Sequence, residues 1–275
     1  MRGDAGLTAL VVIIITLAAA FVIFKIYGPL AEVAERGSDT ELCEASVRAA
    51  DTLVGRAFIE VQCPAQRLVV DAEGISRASE RSAPQRFITA ATGKRRLLER
   101  KVEKPDEKQV LTEMLHYALA QEMATCWNQF GEGLLEPFKS TWFSSDKHCI
   151  VCAVADVETS FIAKTGPTLS GFQQYLQTIK RPGKDETYAS YLRPIKAEVE
   201  RVVPFIFTTK FVQADLTVEA ADTLDLTSGI VVVFQSEVPA SFQALKQTFG
   251  AGGMKRAVYL VSSKDMGLLQ CDAVF

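Results

Sequence analysis

Between Ala5 and Phe24 the chain carries no charge, and Leu7 to Phe24 reads LTALVVIIITLAAAFVIF, a run without parallel in the rest of the sequence. As a helix, this run with Ile26 and Tyr27 covers roughly 30 Å, the thickness of a bilayer hydrocarbon core. It is apolar on every side, whereas a helix packed on a globular core keeps a polar face. Its two threonines can bond back to the helix, and Lys25 and Tyr27 stand where interfacial anchors belong. The first 27 residues are therefore expected to form a single transmembrane anchor. A cleaved secretory signal is the competing reading, with Arg2 as its basic end, Leu10 to Leu17 as its apolar region and Ala18-Ala19-Ala20 as its cut. That cut would leave Phe21-Val22-Ile23-Phe24 as an exposed apolar terminus.

Ahead of the run stand Met1-Arg2-Gly3 and then Asp4. This start resembles a class III, type IV pilin-like leader, which is cut after the glycine while the apolar helix stays attached. The resemblance covers about the first 27 residues and implies processing between Gly3 and Asp4. The fifth residue after that cut is Thr8, where bacterial pilins carry glutamate; archaeal leaders are looser here.

Charge does not orient the anchor, because Arg2 and the amino terminus on one side nearly balance Lys25 and Arg36 on the other. Cysteine usage does. All six cysteines, Cys43, Cys63, Cys126, Cys149, Cys152 and Cys271, lie beyond the run. An even set of this kind suits three disulfides in an oxidising compartment. The expected location is the cell membrane, single-pass, with residues 28–275 outside the cytoplasm.

Residues 28–275 hold enough apolar sequence to bury a core, and the whole chain's net charge is only −3. No excess of one sign points to nucleic acid, and no such partner is expected. There is no repeat, heptad array or Pro/Ser-rich stalk, which leaves a mixed helix and sheet domain of the α+β class, stapled by disulfides.

Gly28-Pro29 ends or kinks the first helix. Ser38-Asp39-Thr40-Glu41 fits a capping box and starts the next, with Leu42, Ser46, Ala49 and Leu53 on one face. Short strands are expected at Ala57 to Cys63 and Arg67 to Val70, and Cys43 is expected to bond Cys63. Closing that loop would contribute on the order of 3 kcal/mol in the entropic account. The polar stretch 71–108 reads as a surface excursion, and its basic cluster, Lys94, Arg95, Arg96, Arg100, Lys101 and Lys104, reads as a solvated face.

From Asp106 to Trp127, Val110, Leu111, Met114, Leu115, Ala118, Leu119, Met123, Cys126 and Trp127 recur at steps of three and four, the mark of a long helix. Gly131 and Gly133 end it, and Phe138, Trp142 and Phe143 suggest an aromatic lid. His116 on this helix reads as a packing residue.

His148-Cys149-Ile150-Val151-Cys152 then opens a strand expected to run to Val157. A redox CxxC sits at a helix start, where the dipole lowers the thiol pKa, but these neighbours are strand formers. Their two sulfurs leave a strand on opposite faces and are poorly placed to bond each other. Cys149 shares an apolar row with Val151, Ala153, Ala155 and Val157, which favours Cys126–Cys149 and leaves Cys152 for Cys271. Other pairings stay open. A zinc site from Cys126, His148, Cys149 and Cys152 has suitable ligand types, but structural zinc normally holds a CxxC on a turn. No metal and no cofactor is expected.

Cys126-Trp127-Asn128-Gln129-Phe130-Gly131-Glu132-Gly133 together with Cys149-Ile150-Val151-Cys152 is loosely similar to a combination in uncharacterised archaeal membrane-anchored proteins. The similarity spans about two thirds of the chain and implies no activity.

In the last third, Ser170 to Lys180 and Ala240 to Phe249 read as helices, and Thr187 to Arg193 as a helical turn. Val202 to Val218, Ile230 to Val238, Ala257 to Ser262 and Leu268 to Phe275 read as strands. Asp215, Glu219, Asp222 and Asp225 lack the ligand order of a calcium loop. Gly250-Ala251-Gly252-Gly253-Met254-Lys255 lies between helix and strand, the reverse of a P-loop. There is no GxSxG, HExxH or dinucleotide fingerprint, so no catalytic residue is assigned. The expected function is that of a non-enzymatic surface protein, a pilin-like accessory or partner-binding scaffold. Its partners are the bilayer, through residues 7–27, and other envelope proteins. The alternative is a thiol–disulfide or metal-dependent envelope enzyme using His148, Cys149 and Cys152.

Overall fold

The computed structural model describes residues 39–51, 60–79, 82–135, 138, 146–193, 195–199, 209–213, 223–238 and 255–274. The apolar run and the Gly3-Asp4 junction lie outside these residues. Among the described residues, no helix is long and apolar enough to cross a membrane.

The frame is a seven-stranded mixed sheet. Six strands lie in the order β10 (Lys255–Ser262), β9 (Ile230–Val238), β4 (Asp146–Val157), β1 (Gln66–Val70), β2 (Gly74–Ser79) and β3 (Ser82–Thr89). β1 runs parallel to β4, and the other pairings along this path are antiparallel. β11 (Ala273–Val274) adds to β4 in parallel at His148 and Cys149. β9 already pairs with those two residues. The opposite edge of β4 is thus shared by β11 and β1, which joins only at Ala153.

Helix α3 (Glu107–Gln129), 23 residues long, crosses one face of this sheet, and the smaller helices surround it. These are α1 (Asp39–Ala50), α2 (Ala90–Glu99), α4 (Thr159–Thr165), α5 (Phe172–Thr178) and α6 (Tyr188–Tyr191). Asp106 caps α3 by accepting from the Gln109 amide, while the Gln109 side chain accepts from the Asp106 N–H. The main core is built from α3 (Leu111, Met114, Leu115, Leu119, Met123, Trp127), the inward side chains of β1, β4, β9 and β10, and anchors such as Phe161, Phe172 and Tyr188. β9 alternates within that core: Ile230, Val232 and Phe234 face the helices, while Val231 and Val233 face the other way. Burial on both sides explains its unbroken apolar sequence.

Several expectations change. The stretch 71–108 is not a surface excursion: it supplies β2, β3 and α2, with Ile75, Ile88 and Leu97 buried. One apolar side chain per turn or strand suffices there, because inward-facing Arg77 and Arg96 are paired with buried carboxylates of α3. α1 buries Cys43, Ser46, Val47 and Ala50, with Leu42 and Ala49 at the border of that face. The C-terminal strand is short: Ser263–Leu269 forms a 3₁₀ helix before β11. β4, β9 and β10 lie where the sequence places strands. Two small ladders, β5 (Thr168–Ser170) with β8 (Thr223–Asp225) and β6 (Ile195–Val199) with β7 (Thr209–Gln213), complete the described structure.

Candidate functional site

The sequence concentrates its chemistry on β4 and the helix facing it. All six cysteines are oxidised, as Cys43–Cys63, Cys126–Cys152 and Cys149–Cys271. The first pairing is the expected one, and the other two are exchanged relative to expectation. The cause is a β-bulge. Val151 pairs with Val233 and Ala153 with Val232, so Cys152 is an extra residue opposite neither. A bulge of this kind shifts the alternation by one residue. Ala153 and Ala155 therefore join Ile150 and Cys152 in facing α3, whereas Cys149 and Val151 face away. The apolar row that appeared to carry Cys149 towards Cys126 is split between the two faces.

The thiol and metal alternatives lose their donors. Cys149 and Cys152 do not bond each other, and each sulfur is committed to a distant partner. The zinc set Cys126, His148, Cys149 and Cys152 is not assembled, since Cys149 lies across the sheet and the His148 ring stacks on Phe138 at 4.6 Å. Among the described residues, no group of three or more His, Cys, Asp or Glu could hold a metal ion.

A second polar centre is legible only in three dimensions. α3 buries Glu113, His116 and Glu122. Arg100 donates from Nη1 to Glu113 Oε2 at 2.7 Å, and Arg96 Nε lies 3.7 Å from the other oxygen. Arg96 also sits over the Tyr117 ring at 4.0 Å. Two of the six residues of the expected solvated basic face thus turn to the interior, because Arg96 and Arg100, one helical turn apart, reach the same carboxylate. Arg100 lies just past α2, and the turn is closed by Val102 N–H donating to Leu97 O and by Lys101 at φ 65°, a Schellman-type stop. Burial raises the Glu113 carboxyl pKa, against the opposing pull of Arg100 and Arg96.

His116 is 7% exposed, tilted against Phe172 and Tyr175, with centroids at 5.5 and 5.2 Å. Burial drives its pKa down to about 4, opposed by a hydrogen bond to the Ser170 backbone and assisted by the Arg100 charge. Among the described residues, its Nε2 has no hydrogen-bond partner. The neutral ring is a packing element, as its apolar sequence neighbours suggest. Glu122, also raised by burial, pairs with Arg77 of β2, which in turn covers the Phe87 ring at 4.8 Å.

Beyond the end of α3, Gly133 takes φ +78°, and a Cβ there would stand 2.4 Å from the Trp127 ring. Only glycine fits that approach. The Gly133 carbonyl accepts from buried Arg256 of β10 at 2.5 Å, tying the turn to the sheet. Phe130 stacks on Phe234 at 3.8 Å beside it. Each charged group in the interior thus joins two elements, and together they position helices rather than present a reactive group.

Of the other candidates, Asp225 accepts from Lys264, Thr227 N–H and the Thr227 hydroxyl, which hold its carboxyl down at about 2. Asp215, Glu219 and Asp222, the segment 250–253, and Trp142 and Phe143 lie outside the described residues. No family model matches the chain, and no curated protein or solved structure matches it.

Proposed function

We propose that this protein is a membrane-anchored extracytoplasmic surface protein that works by holding partners rather than by catalysis. In the fuller form of this reading it is a pilin-like accessory protein, trimmed between Gly3 and Asp4. The observation that carries the proposal is the complete pairing of the six cysteines into three disulfides. Stable cross-links of this number belong to an oxidising compartment. The uncharged run Leu7 to Phe24 supplies the means of staying at a membrane while the stapled domain lies outside. A frame with buried ion pairs and fixed disulfides keeps its surface geometry constant, which suits partner binding.

The test is topology and processing in intact cells that make the full chain. External protease should release the domain while the apolar run stays with the membrane fraction, and non-reducing peptide mapping should return the same three bonds. Protection of the domain from external protease, or reduced cysteines in the native protein, would overturn the extracytoplasmic reading. Sequencing of the mature amino terminus then separates the two forms: a start at Asp4 supports the pilin-like route, and a start at Met1 removes it.

A further inference from the structure

Between α5 and α6 lies an open groove of about 270 Å³. Specific small-molecule clefts begin near 300 Å³, so this one suits a ligand of a single ring, not a dinucleotide. Its walls are rigid. α5 is pinned by Phe172, Tyr175 and Leu176, and α6 by Tyr188, Tyr191 and Leu192, all buried. The link between them is a tight ladder: Lys180 bridges Thr187, Arg181 N–H donates to Glu186 O at 3.0 Å, and Tyr188 N–H donates to Ile179 O at 3.2 Å.

The chemistry inside is one-sided. Gln173 and Gln177, one turn apart, project from α5, Ser190 from α6 and Arg193 from the segment just past it, while Leu176 and Ala189 form an apolar floor. Among the described residues, neither glutamine amide nor the Arg193 guanidinium has a partner. The neighbouring acids are already paired within the link, Asp185 with Lys180 at 3.2 Å and Glu186 with Arg181 at 2.8 Å. Among the described residues no carboxylate lines the groove, so their charge there is that of Arg193.

We infer that this groove is a binding site for an acidic monosaccharide, a hexuronate whose carboxylate meets Arg193 and whose hydroxyls meet Gln173, Gln177 and Ser190. A guanidinium fork matches a carboxylate with two parallel hydrogen bonds. Carboxamides both donate and accept, as does the serine hydroxyl, which matches ring hydroxyls that do the same. The small apolar floor accepts the C–H face of a sugar ring. This site stands independently of the anchored reading above: it requires only that α5 and α6 keep their places on the core.

Titration of the folded protein with D-glucuronate, followed by NMR, tests it, with D-glucose and acetate as separate arms. Glucuronate should bind saturably and shift the signals of Gln173, Gln177 and Ser190, with glucose and acetate each weaker. Arg193→Gln should weaken glucuronate by at least about tenfold, the cost of removing a charged hydrogen-bond donor. Ser190→Phe should block the groove while leaving the guanidinium in place, and circular dichroism checks that both variants keep the fold. The inference fails if glucose binds as well as glucuronate, since Arg193 then plays no part. It also fails if acetate binds as well, since the hydroxyl contacts are then absent, or if neither substitution weakens binding.

Discussion

The two faces of the seven-stranded sheet are built on different principles. The face under α3 carries the main core, from Leu68 and Val70 on β1 to Val258 and Leu260 on β10, backed by helices α1 to α6 and ion pairs at Glu113 and Glu122. Among the described residues, the opposite face holds Cys149, Val231 and Val233 fully buried, with partly buried Val151, Val154, Val261, Met266, Leu269 and Cys271 around them. The first side has enough apolar area to hold itself together. The second is a thin layer whose cover, the 3₁₀ segment Ser263–Leu269, depends on a covalent tie. Disulfides matter most where the hydrophobic layer is smallest.

That contrast can be broken most directly at the two disulfides on β4. Cys149–Cys271 spans 122 residues and Cys126–Cys152 spans 26. On loop entropy alone, removing the first as a paired serine variant should cost about 5 kcal/mol and the second about 3.5 kcal/mol. Urea denaturation of the two double variants measures this, and the reverse order would show that the tie on the thin face is dispensable. Next, Leu119→Ala should cost about 3 to 4 kcal/mol, because Leu119 is fully enclosed beneath the sheet. The same truncation at half-buried Leu269 should cost about 1 kcal/mol. Equal losses would erase the distinction between the faces.

A third test uses pH. His116 is held near 4 in the folded state, against 6.5 when free. The unfolded chain therefore takes up a proton first, and stability present above about pH 6.5 falls as pH drops towards 4, by about 3 kcal/mol. The raised carboxyls of Glu113 and Glu122 act with the opposite sign over the same descent, since the folded state protonates them first. Comparing wild type with His116→Gln between pH 7 and pH 4.5 isolates the histidine: the variant should lose less stability on acidification. An unchanged acid slope would place the sensitivity elsewhere. The smallest effect is expected at Leu268, 79% exposed at the edge of the thin face. Leu268→Ser should change stability by less than about 0.5 kcal/mol.

Elements with a clean period could be read from the chain. α3 announces itself by apolar steps of three and four that persist through Trp127, and β9 by its run of valines. The polar strands β2 and β3 did not, because their inward residues are too few to set a rhythm against Arg77, Arg86 and the serines around them. The pairing of Cys126 failed for a different reason: alternation assumes an unbroken pleat, and nothing in Ile150-Val151-Cys152-Ala153 signals that one residue is looped out. The Glu113 centre was hidden because its partners Arg96 and Arg100 belong to another helix, and a basic run looks the same whether it faces water or a buried carboxylate. Arg193 and the two glutamines are ordinary surface residues in the sequence, and only the link that folds α6 back beside α5 makes them neighbours.

The last tie on β4 also has a consequence for how the chain matures. Cys43–Cys63 and Cys126–Cys152 join residues 20 and 26 apart, so each can close while the rest of the chain is still being made. Cys149 must wait for Cys271, after every strand of the sheet except β11 has emerged. Until then it is an unpaired thiol flanked by two cysteines, 126 and 152, that could capture it wrongly. Because Cys149 and Cys152 stand on opposite faces of β4, the bond that must wait is kept apart from the one that can form early.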